Sequence, residues 1–264
     1  MIKKSYPKLN IFLKITGYKD GYHTIFSRFV KLKSIFDLIK FEKAKCETFT
    51  IEGFDEVPIK ENTITKAFYA LNQATGNLDI LEFFYNHKVV VEKNIPTQAG
   101  LGGGSSNAGV FLNMVNEVCS LGLSKDQLAK IGAKIGADVP FFVYDFESAN
   151  VSGFGEIVEE FKEDPLEFEI LIPPFGCNTK DVYLKYKELN KGKILDIKEF
   201  ESWKNTSSKE ILQKIKDPYI LNDLLKPATL ICKDLKNHLK DGYFFSGSGS
   251  TFFSLKKKFP HNLS

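Results

Sequence analysis

The chain carries 264 residues, 43% of them hydrophobic and 26% charged, with a formal net charge of +3. That is material for one large domain or two modest ones with real cores, and so even a charge balance argues against the concentrated basic face of a nucleic-acid binder. The four cysteines (Cys46, Cys119, Cys177 and Cys232) lie far apart with no CxxC pair, which argues against zinc or a disulfide framework and fits reduced thiols in a cytoplasmic protein.

The N-terminus opens with lysines, but Asn10 and Lys14 interrupt its apolar run and no small-residue cleavage site follows; it does not read as a signal peptide. Nowhere does an apolar run approach the roughly 18–20 residues that span a bilayer. "LNIFLKITG" and "HTIFSRFVKL" read as strands, joined through "YKDGYH" with its Asp-Gly turn signal. "IFDLIKFEKA" and "ETFTIEG" continue the β pattern. "NTITKAFYALNQATG" changes period: Ile64, Ala67, Phe68 and Leu71 make an apolar stripe that Gly76 ends. "HKVVVEKNIP" is a strand closed by proline. A glycine loop follows, then a helix from about Asn107, then "SKDQLAKIGAKIG" as a helix with Ser124 at its N-cap. "DVPFFVYD" reads as a strand.

Beyond it, "SANVSGFGEIVEEF" gives two strands around a Gly-Phe-Gly turn, and "EFEILIPPF" a strand stopped by two prolines. "TKDVYLKYKEL", "SSKEILQKI" and "NDLLKPATLICKDLKNHL" are helical. "DGYFFSGSGSTFFSLKKK" closes as two apolar strands around a second Gly/Ser turn, and its "LKKKF" reads as a solvated basic surface. There is no internal repeat and no low-complexity segment. Strands and helices are grouped rather than alternating, which predicts α+β, with a domain boundary near residue 146.

The segment "NIPTQAGLGGGSSNAGVF" sets a strand, a glycine loop and a helix in series, the order of a phosphate cradle. Glycines admit positive φ and let backbone N–H groups approach an anion, while the helix N-terminus adds unpaired donors. Neither familiar pattern fits. GxGxxG from Gly100 meets Ser105 where glycine is required, and a Walker loop from Gly104 meets Val110 where lysine is required. A flexible linker or a tight helix–sheet contact is the structural alternative.

"PTQAGLGGGSSNAG" resembles the P-x-x-x-G-L-G-S-S motif of the GHMP kinases. "KLNIFLKITGYKDGYHTI" and "FSGSGSTFF" resemble N- and C-terminal motifs of one branch, whose acceptor is a cytidine-diphosphate-linked methylerythritol of the non-mevalonate isoprenoid pathway. The three motifs stand in order and are spread across almost the whole chain. There are departures: Tyr18 and Lys19 stand where arginine and proline are common, Gly109 stands where alanine is usual, and little chain follows the last turn for a terminal helix.

The resemblance implies a two-domain fold, with a ribosomal-protein-like N-terminal domain (1–146) and a ferredoxin-like α/β sandwich (147–264). It implies phosphorylation of the acceptor's 2-hydroxyl by ATP with Mg²⁺, in a cytoplasmic monomer or homodimer with no nucleic-acid or membrane partner. It makes Lys8 and Asp138 the catalytic pair: the carboxylate accepts or orients the hydroxyl proton, and the ammonium stabilises the alkoxide. Pro96, Gly100, Leu101, Gly102, Gly103, Gly104, Ser105 and Ser106 would hold ATP phosphates, with Asn62 and Lys93 near the nucleoside. Ser106, then Ser105, would be the protein ligand for Mg²⁺. On the acceptor side, Tyr22 would stack on cytosine, His23 would meet its polar edge and Tyr183 would close the other face. Asn10 would hold the acceptor's hydroxyls or diphosphate, Thr179 the erythritol end, and Gly247 and Ser248 would line the cleft. Read alone, Lys8 and Asp138 suit a surface lysine and a turn cap, and Tyr22 and His23 an ordinary turn. The rivals are a GHMP kinase for mevalonate, homoserine or a sugar, which has no base to stack, and a non-enzymatic nucleotide- or RNA-binding module.

Overall fold

Asp20 and Gly21 both sit at positive φ, 51° and 86°, as a two-residue hairpin turn demands. They join β2 (Lys8–Lys19) to β3 (Tyr22–Lys31), which follow β1 (Ile2–Ser5). The computed structural model describes residues 1–54, 58–190 and 197–256. Next come β4 (Asp37–Lys43), β5 (Ile51–Glu52), α1 (Thr63–Thr75), α2 (Leu78–Tyr85) and β6 (His87–Glu92). Then follow α3 (Gly103–Val118), α4 (Lys125–Ala133), α5 (Val139–Tyr144), β7 (Ser148–Gly153) and β8 (Ile157–Glu160). The remainder holds β9 (Phe168–Leu171), α6 (Thr179–Asn190), α7 (Ser208–Lys214), α8 (Pro218–Leu221), α9 (Leu225–Ile231), β10 (Phe244–Phe245) and β11 (Phe252–Leu255).

The strands form three sheets, in the orders β1-β4-β6-β5, β2-β3-β7-β8 and β10-β11-β9. The first is covered by helices: Ile39, Phe41, Val89 and Val91 pack against the apolar faces of α1 (Ile64, Phe68, Leu71) and α3 (Phe111, Leu112, Val115). The expected boundary near residue 146 falls between α5 and β7, and β7 and β8 extend the sheet that β2 and β3 begin.

Strand β2 carries the site because of an irregularity. A register shift between Asn10 and Phe12 inserts one extra residue and flips the alternation of faces. Leu9, Ile11 and Phe12 therefore join one core with Phe244 and Phe253, while Leu13 and Ile15 join another with Leu224 and Phe245. Ahead of the bulge, Lys8 and Asn10 share the face opposite Leu9 and Ile11.

Several expected elements change type or length. "DVPFFVYD" is helical as α5, with Pro140 in its first turn and Asp145 ending it at φ 65°. A continuous apolar run has no period to tell strand from helix, and proline at a helix start is well tolerated. Helix α3 starts at Gly103, not near Asn107, after Gly102 as N-cap at φ 69°. Gly109, inside α3, has a packing reason: a Cβ there would stand 2.6 Å from Phe142 Cβ and 3.0 Å from Val143 N, so its absence lets α5 lie against α3. Helix α2, capped by the Asn77 side chain on Asp79 N, is an element the sequence reading passed over. The last long helix stops at Ile231, where Cys232 turns out of helical geometry before a short 3₁₀ segment. The stop at Gly76 and the N-cap at Ser124 both occur as expected, and Gln127 completes a capping box with Ser124. Of the basic run 255–259, residues 257–259 lie outside the described residues, and Lys256 pairs with Glu167.

Candidate active site

The strand leaving β6 is anchored before the glycines begin. Asp37, fully buried at the start of β4, accepts from Asn94 N at 2.7 Å and Ile95 N at 2.8 Å and pairs with Lys93. Lys93, expected near the nucleoside, is thereby held beside Gly103, whose Cβ position lies 3.6 Å from its Nζ. Pro96 is exposed at the turn that follows. Asn62 is buried, and its side chain caps α1 by accepting from Ile64 N at 2.8 Å.

The glycine loop runs between two other segments and bonds to both. Ala99 O accepts from Thr251 N at 3.1 Å, and Leu101 O from Lys8 N at 3.0 Å. Leu101 itself is buried as the loop's apolar anchor. Gly100 has φ +73°, and a Cβ on it would come within 2.3 Å of Ser246 O. No other residue fits there, because the two loops touch backbone to backbone. Gly104 is exposed, and its carbonyl accepts from Thr63 Oγ1 at 2.7 Å. Ser105 is half-buried. Ser106 is fully buried: its hydroxyl donates to Tyr6 O at 2.6 Å and meets Ser5 Oγ at 2.7 Å. The hydroxyl expected to reach a metal is thus already committed to the chain. Among the described residues no group of three or more His, Cys, Asp or Glu side chains could hold an ion.

Lys8 Nζ is the centre of the arrangement. The side chain is 4% exposed, and Nζ donates to Asn10 Oδ1 at 2.6 Å and Gly100 O at 3.0 Å. It stands 3.7 Å from Asp138 Oδ2 and 4.8 Å from the centre of the Phe29 ring. Burial lowers its pKa from the ordinary lysine range, and the charge of Asp138 raises it part of the way back. Asp138 sits at the N-cap of α5, yet its side chain makes no capping hydrogen bond. Its carboxylate, 30% exposed, is left open to solvent. Asn10 is buried and occupied: it accepts from Lys8 and donates Nδ2 to Ser27 Oγ at 2.9 Å. Its place is beneath Lys8, with both ends of the carboxamide taken by protein partners.

The Gly/Ser turn closes over this cluster. Gly247 (φ +59°) has its Cβ position 3.2 Å from Asn10 Oδ1 and 3.4 Å from Lys8 Nζ. Ser246 Oγ accepts from Asn10 N and donates to Gly100 O, both at 3.2 Å. Ser248 Oγ meets Thr179 Oγ1 at 2.8 Å, tying the turn to the start of α6. One turn further along α6, Tyr183 stacks on His23, with ring centroids 5.4 Å apart at 29°. Tyr18 and Tyr186 meet the same imidazole edge-on, at 4.9 and 5.5 Å. Tyr22 is 70% exposed and turns toward Phe154 instead, so the ring facing Tyr183 is His23 and not Tyr22 as expected. The His23 imidazole is lowered by burial and then by the charge of Lys187, while burial and Asp138 raise the Tyr183 phenol.

The structure thus brings Lys8, Asn10, Gly100, Asp138 and Gly247 together, and places Thr179, Tyr183, His23 and Ser248 along one rim. The sequence reading missed Asp37, Thr63 and Ser246. A lone aspartate in the apolar "IFDLIKF" was the signal available for the first; the other two carry none beyond their motif neighbours.

The description "GHMP kinases N terminal domain" matches residues 62–146. A 4-diphosphocytidyl-2-C-methyl-D-erythritol kinase from Sulfurovum sp. is 50% identical over 252 residues, covering 96% of this chain and 98% of the relative. The chain belongs to that kinase family. A second member, from Sulfurimonas denitrificans, is 48% identical over 260 residues with 97% of each chain covered. The crystal structure of a 4-(cytidine 5'-diphospho)-2C-methyl-D-erythritol kinase superposes with a TM-score of 0.74 at 26% identity, covering 97% of this chain and 90% of that one. A mevalonate kinase structure, at 15% identity, TM-score 0.57 and coverage of 98% and 92%, shares the fold alone. As a member of this family the protein is a small-molecule kinase of α+β fold, and the binding-module alternative falls away. No described helix is long and apolar enough to cross a membrane.

Proposed function

We propose that this kinase transfers the γ-phosphoryl group of ATP to the 2-hydroxyl of 4-(cytidine 5'-diphospho)-2-C-methyl-D-erythritol. The observation that carries the reading is the uncapped Asp138 carboxylate 3.7 Å from a buried ammonium, beneath two interlocked glycine turns. A loose phosphoryl-transfer transition state asks mostly for positioning and charge, which this arrangement supplies.

ATP phosphates lie against Gly102, Gly103, Gly104 and Ser105, at the N-terminus of α3, whose first-turn amides are free to donate. Asp138 takes the proton as the acceptor oxygen bonds to the γ-phosphorus and the bond to the departing ADP oxygen breaks. Lys8 holds Asp138 ionised and stabilises charge on the attacking oxygen. Asn10 and Gly100 O fix the ammonium, so Asn10 acts through Lys8. Where Mg²⁺ is bound, it offsets phosphate charge. The donor set fits a cation held mainly by phosphate and water, and half-buried Ser105 suits it better than Ser106, whose hydroxyl already serves Tyr6 O. On the acceptor side the His23–Tyr183 pair opens to admit cytosine against an aromatic face, with Tyr22 at the rim. The domains meet near residue 146, and the protein works in the cytoplasm as a monomer or homodimer on a small-molecule acceptor.

The test is ADP release by purified protein with ATP and Mg²⁺, offered the cytidylyl acceptor, mevalonate and homoserine in parallel. Turnover confined to the cytidylyl acceptor supports the reading. Turnover with mevalonate or homoserine instead removes the roles given to His23 and Tyr183.

A further inference from the structure

Asn222 belongs to none of the motifs that mark this family's site. It lies between α8 and α9, is 1% exposed, and reaches into the Gly/Ser turn. Its Nδ2 donates to Phe245 O and to Gly247 O, each at 2.9 Å, and its Oδ1 accepts from Leu224 N at 2.8 Å. The backbone around it is fastened to β2 by a bridge to Leu13 and by Asp223 N donating to Leu13 O at 3.0 Å. Every polar atom of this carboxamide is used, and two of its bonds serve carbonyls of the turn that covers Lys8.

The consequence lies on the other side of the peptide. The Gly247–Ser248 bond is trans, and in a trans peptide the C=O and the N–H point in opposite directions. With Gly247 O turned to Asn222, the Ser248 N–H is turned away from it. Within the turn, Ser246 N donates to Thr251 O and Gly249 N to Ser246 O, each at 3.0 Å. The amides of Gly247 and Ser248 have no partner among the described residues. Ser248 is itself 7% exposed, and its hydroxyl bonds Thr179 on the acceptor rim. An unpaired amide in so enclosed a place is costly unless a ligand accepts from it.

We propose that Asn222 is a positioning residue for the acceptor: by holding Gly247 O it aims the Ser248 N–H at an anionic oxygen of the acceptor's diphosphate. The inference rests on the function proposed above. Asparagine is needed because both Nδ2 hydrogens are in use. Aspartate keeps the shape and the bond from Leu224 N but sets an oxygen against two carbonyls.

The experiment compares wild type with Asn222→Asp under steady-state conditions, varying the cytidylyl acceptor and ATP separately. The expected result is an acceptor KM raised about tenfold or more, as for loss of a hydrogen bond to a charged group, with the ATP KM within about twofold of wild type. Lowering the pH, which protonates the introduced carboxyl and returns one donor, brings the variant's acceptor KM part of the way back. A merely structural role gives a lower melting temperature with both KM values unchanged, and that outcome overturns the proposal. Should the variant not fold, the ¹⁵N spectrum of wild type decides: the Ser248 amide proton moves downfield on adding the cytidylyl acceptor, and an unmoved resonance overturns the proposal. Wild type that does not turn over the cytidylyl acceptor at all sinks the functional reading, a result separate from any ratio between variant and wild type.

Discussion

Replacing Lys8 by methionine should cost the enzyme its rate and leave its stability nearly intact. The ammonium donates to Asn10 Oδ1 and Gly100 O and sits 3.7 Å from Asp138. Gly100 O keeps its bond from Ser246 Oγ at 3.2 Å, and the Asp138 carboxylate, 30% exposed, is within reach of water. One acceptor, Asn10 Oδ1, is left bare, a loss of about 1–3 kcal/mol. Against this, a side chain 4% exposed gives up a buried charge whose effective desolvation is of order several kcal/mol. The variant is therefore expected no more than about 1 kcal/mol below wild type, and above it if the desolvation outweighs the lost bond. Its kcat falls by about a hundred- to a thousandfold, the usual result of removing one group that stabilises developing charge. The pH dependence has a definite sign. Lys8 titrates below the ordinary lysine value of 10.5 when folded, so between the two values the unfolded chain binds more protons. Wild-type stability then rises with pH through that window, and Lys8→Met lacks the rise. Urea melts of both proteins at pH 7.5 and again near pH 10, with single-turnover rates at saturating ATP, read both effects. A variant more than about 3 kcal/mol less stable at pH 7.5, or one within about tenfold of the wild-type rate, refutes the reasoning.

Asp138→Asn should lower kcat by roughly a hundred- to ten-thousandfold with unchanged ATP affinity, and lower the melting temperature too, because the buried Lys8 ammonium loses its counter-charge; a kcat within about tenfold of wild type would count against it. His23 is held below its ordinary value of 6.5 by burial and then by Lys187, so it is neutral at pH 7 and the acceptor KM should stay flat until pH falls below 6.5. Lys187→Met removes the second cause and should move that rise in KM to higher pH; an unmoved limb disproves the coupling. Arg28→Leu should destabilise the fold by about 3–5 kcal/mol, a melting shift of roughly 6–20 °C, since it strands Glu163, whose side chain is 8% exposed. Calorimetry showing less than about 1 kcal/mol would mean that Glu163 is satisfied by Ser148 and Ser208 alone.

The local elements were legible because each is dictated by a few neighbouring residues. Asp20-Gly21 can close a hairpin alone, Gly76 and Ser124 end and start helices through their own backbone preferences, and the apolar stripe of α1 has a period. Where those signals fail, so did the reading. The apolar run of α5 has no period, and the start of α3 is written in glycines, which carry no side-chain pattern.

The residues proposed for catalysis could be named from the family resemblance, but what each one touches could not. Lys8 meets Gly100 across 92 positions of sequence, and Asn10 meets Ser246 across 236. Such distant encounters are set by how sheets and helices close over a shared core, and no local preference encodes them. Tertiary structure alone placed Asn10 beneath Lys8, gave the Ser106 hydroxyl to Tyr6, set His23 rather than Tyr22 against Tyr183, and left the Asp138 carboxylate without a cap to serve. The sequence by itself determined which groups are present and where the backbone must turn. The packing decided which of those groups remain free for a substrate, since a buried polar atom takes whatever partner the fold brings within reach.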